Sequence, residues 1–143
     1  MSIEENKAVV RRWAEELWNQ GNLAVADEIY GPQVLIHEPE RDMPDRGGPT
    51  MVKQRHGWLI SALPDFQIMI EDLLAEGDKV MVRWTGRGTH QGELLGVPPT
   101  GKQVTVSGIN VMRIEDGKIV ERWGITDDLD LLHQLGVELP ASK

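Results

Sequence analysis

The sequence predicts an α+β fold in which three N-terminal helices are wrapped by a curved antiparallel sheet around an internal apolar pocket. Apolar residues recur at helical spacing through residues 1–63, and the period then changes to the alternation typical of strands. Glycines inside the predicted strands indicate bends or bulges, so the sheet can curl around the helices. Because neither a repeat nor a linker interrupts the pattern, we expect one domain over residues 1–143.

The three helices are predicted from their end signals and their apolar stripes. Ser2 and Glu5 have the spacing of a capping box at the start of the first helix, and Gly21 is a natural end for it. A short second helix is predicted over 22–30, with its first residue as the cap. A third is predicted over 49–63, since it begins at one proline and stops before another.

The strands follow from alternation and from turn residues. A short strand at 34–37 precedes a charged loop at 38–49, and longer alternating segments follow at 66–70, 80–90, 104–114 and 118–126. Asp116-Gly117 predicts a two-residue hairpin turn between the last two strands. Leucines between 129 and 135 predict a terminal helix.

Composition limits the classes of function. Fifteen Lys and Arg against 23 Asp and Glu give a net charge of −8, which disfavours binding to nucleic acid or to an anionic membrane. The absence of Cys excludes disulfides and thiolate nucleophiles. No apolar stretch approaches the length of a membrane span, and the N-terminus lacks the features of a signal peptide. We therefore expect a cytoplasmic protein whose partner is neither a nucleic acid nor a membrane. Five Trp against one Phe and one Tyr suit an apolar cavity, which fits a small apolar or aromatic molecule.

Motifs along nearly the whole chain carry a resemblance to one family. They are Pro64-Asp65-Phe66, Ala75-Glu76-Gly77-Asp78-Lys79-Val80, Arg83-Trp84, Gly88-Thr89-His90-Gln91-Gly92, Gly96-Val97-Pro98-Pro99-Thr100-Gly101, Asp116 through Trp123, and Asp127 through Gly136. This pattern resembles the SnoaL-like polyketide (ester) cyclases. The resemblance implies the nuclear-transport-factor-2-like cone, general base catalysis without a cofactor, and a homodimer paired through the sheet.

Asp127 is the predicted general base. The resemblance implies this role, because the family's base is an Asp four residues after the Trp of the last strand, the spacing of Trp123 and Asp127. An in-register hairpin gives a second reason: it pairs Asn110 with Trp123 and so puts Asp127 on the same face as Asn110. Apolar surroundings there would raise the basicity of the carboxylate. The alternative is that Asp127 or Asp128 caps the terminal helix.

Other side chains are predicted to complete the site. Asn110 is a candidate to hydrogen-bond a carbonyl or enolate, since strand propensity does not explain an amide there. His90 is a candidate proton carrier, with a strand-end His bonded to backbone as the alternative. His56 lies on the apolar stripe of the third helix and is either a pocket or a core residue. The full set of predicted substrate-binding residues is Trp13, His37, His56, Trp58, Trp84, Met112, Trp123 and Ile125.

Neither a metal nor an organic cofactor is expected. The segment His37-Glu38-Pro39-Glu40 lacks a second His at ligand spacing, and no nucleotide-binding or flavin-binding motif is present. The strands also bear on assembly. Apolar residues occur on both parities of the third long strand, with Ile109 and Val111 on one and Val104 and Val106 on the other, which predicts two buried faces and a homodimer.

The predicted function is a cofactor-independent cyclase that condenses a polyketide-like ester or ketone with itself by an aldol-type reaction. Two alternatives remain open. One is a cofactor-free hydrolase, hydratase or hydroxylase of the same fold, such as an epoxide hydrolase, in which Arg83 opposite Asp72 would help to hold a water. The simpler interpretation of Arg83 and Asp72 is a plain cross-strand ion pair. The other is a non-catalytic small-molecule binding or dimerisation domain.

Overall fold

In the computed structural model, which describes residues 1–38 and 45–138, helices pack on one face of a six-stranded sheet. The elements in chain order are α1 (Ile3–Arg12), a π-helical segment (Trp13–Asn19), α2 (Ala24–Ile29), β1 (Tyr30–His37), β2 (Arg46–Gly47), α3 (Pro49–Ala62), β3 (Gln67–Glu76), β4 (Lys79–Thr89), β5 (Gln103–Glu115), β6 (Lys118–Thr126) and α4 (Asp128–Gln134). The α+β class is confirmed. In the described ranges, no helix has both the length and the apolar character needed to cross a bilayer.

Local signals at the helix ends account for most of the helical boundaries. The capping box is confirmed, since the hydroxyl of Ser2 accepts from the backbone N–H of Glu5 and the carboxylate of Glu5 accepts from the N–H of Ser2, both at 3.1 Å. The predicted cap of the second helix is wrong by one residue, because Leu23 holds that position. The third helix begins at Pro49 as predicted.

The sheet has the order β2-β1-β6-β5-β4-β3. Strands β3 to β6 form the predicted antiparallel meander, whereas the parallel pairing of β1 with β6 was not predicted from the sequence. The predicted partners Asp72 and Arg83 are paired across β3 and β4, with 2.6 Å between Oδ2 and Nε. Both side chains are about half exposed, so this ion pair lies on the surface.

The hairpin of β5 and β6 contains a bulge that changes the predicted register. Asp116 and Gly117 have φ values of 51° and 76°, as a type I′ turn requires. Ile114 pairs with Ile119 but Arg113 pairs with Glu121, so one residue of β6, Val120, is extra. An extra residue exchanges the faces of everything beyond it.

As a result, Asn110 pairs with Gly124 and not with Trp123. The predicted register is wrong by one residue from the bulge onward.

Two strand glycines make room for aromatic rings. A Cβ on Gly86 would lie 2.1 Å from the ring of Phe66, and one on Gly108 would lie 2.4 Å from the ring of Trp84. The register shifts fall between Ile70 and Asp72 in β3 and at the β6 bulge, away from these glycines. The interpretation of strand glycines as bulge markers is therefore wrong for Gly86 and Gly108, where the absence of a side chain leaves room for the rings of Phe66 and Trp84.

The core lies between the helices and the face of the sheet that they cover. Even-numbered residues of β4 and β5 supply much of it: Val80, Val82, Trp84, Val104, Val106, Met112 and Ile114. The opposite face keeps large apolar side chains in solvent, with Ile109 47% exposed and Ile125 70% exposed. The sheet therefore has one buried apolar face and one exposed face that also carries apolar residues.

Candidate active site

A pocket with indole walls lies between the helices and the covered face of the sheet. It encloses about 100 Å³, and Trp13, Trp18, Trp58 and Trp84 are among its lining residues. The π-helical segment contributes the first two of these indoles. The polar side chains of the lining are Tyr30, Glu38, Arg55, His56, Asn110, Arg122, Thr126 and Asp128. The structure thus places Trp13, His56, Trp58, Trp84 and Asn110 in the pocket, where the sequence predicts them.

Asn110 has a fixed orientation at the sheet side of the pocket. Its side chain is buried, and its Oδ1 lies 3.4 Å from Nε1 of Trp84. Because an indole nitrogen only donates, the amide oxygen is the end that faces Trp84, and the amide N–H groups remain for other acceptors. A Cβ on the paired residue Gly124 would lie 3.2 Å from Oδ1 of Asn110 and 3.2 Å from Oε1 of Glu38. Gly124 therefore keeps open the space between these two polar groups.

A buried charge network crosses the pocket from β6 to α3. Arg122 donates to Glu38 and, at 3.1 Å, to the hydroxyl of Tyr30, while Arg55 donates to the other oxygen of Glu38 at 3.2 Å. Both guanidinium side chains are only 8% exposed. Burial raises the pKa of the Tyr30 phenol, so this group stays protonated at neutral pH. The network supplies cationic donors and a phenol to an otherwise apolar cavity.

The pocket carboxylate at the end of β6 is Asp128. Its side chain lines the cavity and its Oδ1 is shielded from solvent. Asp127 is exposed, and its side chain accepts from the backbone N–H of Asp130 at 3.0 Å as the N-cap of α4. The predicted place of Asp127 beside Asn110 is wrong, because the bulge in β6 exchanges the faces of residues 121–128, and the capping alternative is confirmed for Asp127.

Three predicted substrate-binding residues lie on the outer face of the sheet. His37 stacks on Trp123, with ring centroids 5.2 Å apart, and its Nε2 lies 2.8 Å from Glu121. Ile125 is on the same face and largely exposed. The prediction that His37, Trp123 and Ile125 line the pocket is wrong, since strand alternation directs their neighbours inward instead. Glu40 lies outside the described residues, within which no group of three or more His, Asp or Glu side chains is arranged to hold a metal ion.

His90 and Met112 are fully buried without lining the pocket. Nδ1 of His90 accepts from the backbone N–H of Thr100 at 3.1 Å and lies 2.9 Å from its hydroxyl oxygen. Backbone bonds from His90 to Gly101 and Lys102 close the same loop. The predicted place of His90 in the site is therefore wrong, and the alternative of a strand-end His bonded to backbone is confirmed. Met112 is on the predicted face, but it packs in the core beyond the cavity.

Sequence reasoning missed six polar pocket residues: Tyr30, Glu38, Arg55, Arg122, Thr126 and Asp128. Three of them had a usable signal. Arg122 is a charged residue inside a predicted strand, and Glu38 follows the buried Ile36 by two residues, so alternation directs it inward. Asp128 also had one: because an N-cap Asp is engaged by its own helix, the carboxylate that follows it becomes the candidate for the pocket.

Comparison with known proteins agrees with the predicted family and fold. A family model described as SnoaL-like polyketide cyclase matches residues 8–135. The chain is 32% identical to the nogalonic acid methyl ester cyclase of Streptomyces nogalater over 125 residues, or 86% of this chain and 92% of that protein. It is 30% identical to the aklanonic acid methyl ester cyclase DnrD of Streptomyces peucetius over 118 residues, or 81% of this chain and 77% of that protein.

Among solved structures, AclR, a candidate hydroxylase from Streptomyces galilaeus, matches with a TM-score of 0.82. It is 30% identical, and the match covers 97% of this chain and 100% of that one. The curved sheet, its helices and the pocket that they enclose define a nuclear-transport-factor-2-like protein. The match over residues 8–135 is more specific: the chain belongs to the SnoaL-like polyketide cyclase family.

Proposed function

We propose that this protein is a cytoplasmic, cofactor-independent cyclase that closes a ring in a polyketide-like ester or ketone by an intramolecular aldol-type condensation. Family membership and two relatives named as methyl ester cyclases support this reaction class. The observation that carries the proposal is that a carboxylate, Asp128, and an oriented amide, Asn110, line one pocket with indole walls. Such walls hold a planar apolar substrate and exclude water.

Asp128 is the general base of the proposed reaction. Its carboxylate removes a proton α to one carbonyl, and the resulting enolate carbon attacks a second carbonyl carbon of the same molecule. One C–H bond breaks, one C–C bond forms, and the oxygen of the attacked carbonyl takes up a proton, so the product is an isomer of the substrate. The amide N–H of Asn110 donates to the enolate oxygen as negative charge develops there.

Tyr30 and Arg122 are suited to the second half of the reaction, in which the attacked carbonyl becomes an alkoxide. The Tyr30 hydroxyl accepts from Arg122, so its own hydrogen remains for another acceptor. Its raised pKa keeps that hydrogen in place at neutral pH. A phenol beside a buried guanidinium stabilises developing negative charge on oxygen.

Direct turnover tests this function. Wild-type protein is incubated with nogalonic acid methyl ester and, separately, with aklanonic acid methyl ester. The products are separated by liquid chromatography, and their masses are measured by mass spectrometry. We expect a product of unchanged mass with a new retention time, formed by the Asp127→Asn control and lost in Asp128→Asn. No isomer from either ester, or equal rates in wild type and Asp128→Asn, would contradict the proposal.

A second candidate is a cofactor-free hydrolase, hydratase or hydroxylase, which the likeness to AclR favours. The Arg83 arrangement predicted for it is on the outer face, so Asp128 and Arg122 would have to position the water instead. The same chromatographic assay distinguishes this candidate, because the product of a hydrolase or hydratase gains the mass of a water. A hydroxylase would instead add one oxygen atom and would need dioxygen and a reductant in the assay.

We also propose a homodimer formed through the outer apolar face, defined as Ile109, Val111, Trp123, Ile125 and Leu129. These residues line one groove of about 840 Å³ across β4, β5, β6 and the start of α4. Three of them are large apolar side chains with 47–70% exposure, more than an isolated small domain normally leaves in one patch. A second copy of the chain offers a surface of the same shape and composition, as an isologous interface requires.

A further inference from the structure

His56 is a pocket residue that the proposed reaction does not use. It lies in the middle of α3, lines the cavity and is 7% exposed. Its Nε2 is buried and has no hydrogen-bond partner among the residues that the structure describes. The same is true of Nε1 of Trp18, another lining residue. Buried polar atoms nearly always have a partner; these two lining atoms lack one among the described residues, and a ligand group that both donates and accepts would supply it.

The backbone next to the π-helical segment sets the tautomer of His56. Carbonyls near a helix end lack donors within their own helix, and the backbone of Leu17 acts on the imidazole as an acceptor that raises the pKa of His56. Since Nε2 has no partner among the described residues, we assign the N–H to Nδ1, the nitrogen left to face this carbonyl. In a neutral ring Nε2 then carries the lone pair and is an acceptor.

The ring is also fixed in place and kept neutral. The Trp18 indole stacks on it at a tilt of 35°, with 4.2 Å between the ring centroids. Burial lowers the pKa of His56 and outweighs the opposite effect of the Leu17 carbonyl, so the ring is uncharged at neutral pH. The pocket therefore presents a fixed acceptor on His56 next to the ring that carries the Trp18 donor.

We propose that His56 and Trp18 form a hydroxyl-binding subsite, in which a phenolic or enolic hydroxyl of the substrate donates to Nε2 of His56 and accepts from Nε1 of Trp18. A hydroxyl satisfies both groups, whereas a ketone or ether oxygen satisfies only the indole. The subsite selects the hydroxylated form of an aromatic ketone over its methyl ether. This inference rests on the proposed function for the identity of the pocket as the substrate site.

Two small probes test the selection: 4′-hydroxyacetophenone and 4′-methoxyacetophenone, titrated into the wild-type protein by calorimetry. We expect the hydroxyl probe to bind roughly 10- to 100-fold more tightly, because the ether leaves Nε2 unpaired. His56→Phe keeps the stacking with Trp18 and should bring the ratio to about one. His56→Gln, which restores an acceptor, should recover part of the preference. His133→Phe, on the exposed side of α4, is the matched control and should keep the full ratio.

Nitrogen NMR of wild-type protein gives a readout that does not depend on any variant folding. Nε2 of His56 should show the shift of an unprotonated nitrogen in the free protein and should move with 4′-hydroxyacetophenone but not with 4′-methoxyacetophenone. A protonated Nε2 in the free protein, equal shifts with both probes, or equal affinities would overturn the proposal.

Asp128→Asn separates this inference from the proposed function. The variant should lose turnover and keep the hydroxyl preference. A preference that persists in a wild-type protein without any cyclase activity would refute the cyclase proposal and leave the subsite standing. Cyclase turnover without the hydroxyl preference would refute the subsite and leave the cyclase proposal standing.

Discussion

The carboxylate of Asp128 is the group whose removal separates catalysis from folding most cleanly. Asp128→Asn keeps the shape of the side chain and removes the proton acceptor. General base catalysis typically contributes about 10²- to 10⁴-fold, so kcat should fall by that factor. In activation free energy this is about 3–5 kcal/mol. The thermal midpoint should change little, because the substitution opens no cavity.

Asp127 provides the matched control, because we expect substitutions there to affect stability and not kcat. Its side chain accepts a hydrogen bond from the backbone N–H of Asp130 at 3.0 Å, and Asp127→Ala removes that cap. Losing such a cap costs about 1 kcal/mol of unfolding free energy. In a domain of this length that is a drop of roughly 3 °C in Tm. Asp127→Asn keeps a capping oxygen and should be close to silent, and neither change at Asp127 should alter kcat.

The assay measures turnover of the methyl esters by chromatography and Tm by calorimetry for all three variants. An active Asp128→Asn together with an inactive Asp127→Asn would refute the register that follows from the bulge at Val120. Full activity in both would remove a carboxylate base at this end of β6 from the mechanism.

Three further predictions concern Gly124 in the pocket, the outer apolar face and the pH dependence of stability. Gly124→Ala should lower kcat/KM at least about tenfold with little change in Tm, because its Cβ would crowd two pocket oxygens at 3.2 Å; Gly57→Ala, where a Cβ meets nothing within 4 Å, is the control. Light scattering should give twice the 16.0 kDa of one chain, and Ile125→Glu should give a folded monomer whose Tm is lowered only by the lost association; a wild-type monomer would contradict the dimer. Burial lowers the folded-state pKa of His56 below 6.5, so the unfolded state binds more protons as pH falls through 6.5 and stability should decline there. His56→Phe should flatten that decline in Tm, and an unchanged slope would remove His56 as its source.

The parts of the fold that depend on short-range signals could be predicted from the sequence. The capping box of Ser2 and Glu5 depends on contacts three residues apart, and the turn at Asp116-Gly117 depends on two residues that accept positive φ. Their chemistry is independent of the rest of the molecule. The pairing of β3 with β4 was equally predictable, because counting from a tight turn holds until a bulge intervenes.

The pocket depended on long-range geometry that such signals do not encode. Glu38 meets Arg122 only because β1 pairs in parallel with β6, a pairing between residues far apart in the chain. The bulge at Val120 has no Gly or other turn residue to mark it. The predicted place of Asp127 beside Asn110 followed from leaving this one extra residue out of the count.

The alternation in β6 explains why the wrong register looked correct. Without a bulge, the inward residues after Ile119 would include Trp123 and Ile125, whereas the observed register directs Arg122, Gly124 and Thr126 inward. Hydrophobicity favours the first set, and pattern rules assume that only one face of a strand is buried. Here the apolar set lies on the outer face, where Ile125 meets Ile109 across the pair. If a second copy of the chain covers that face, Trp123 and Ile125 are buried after all, at the subunit interface instead of in the pocket. The wrong register and the expected dimer then have the same physical cause, since a strand with two covered faces no longer shows which one encloses the site.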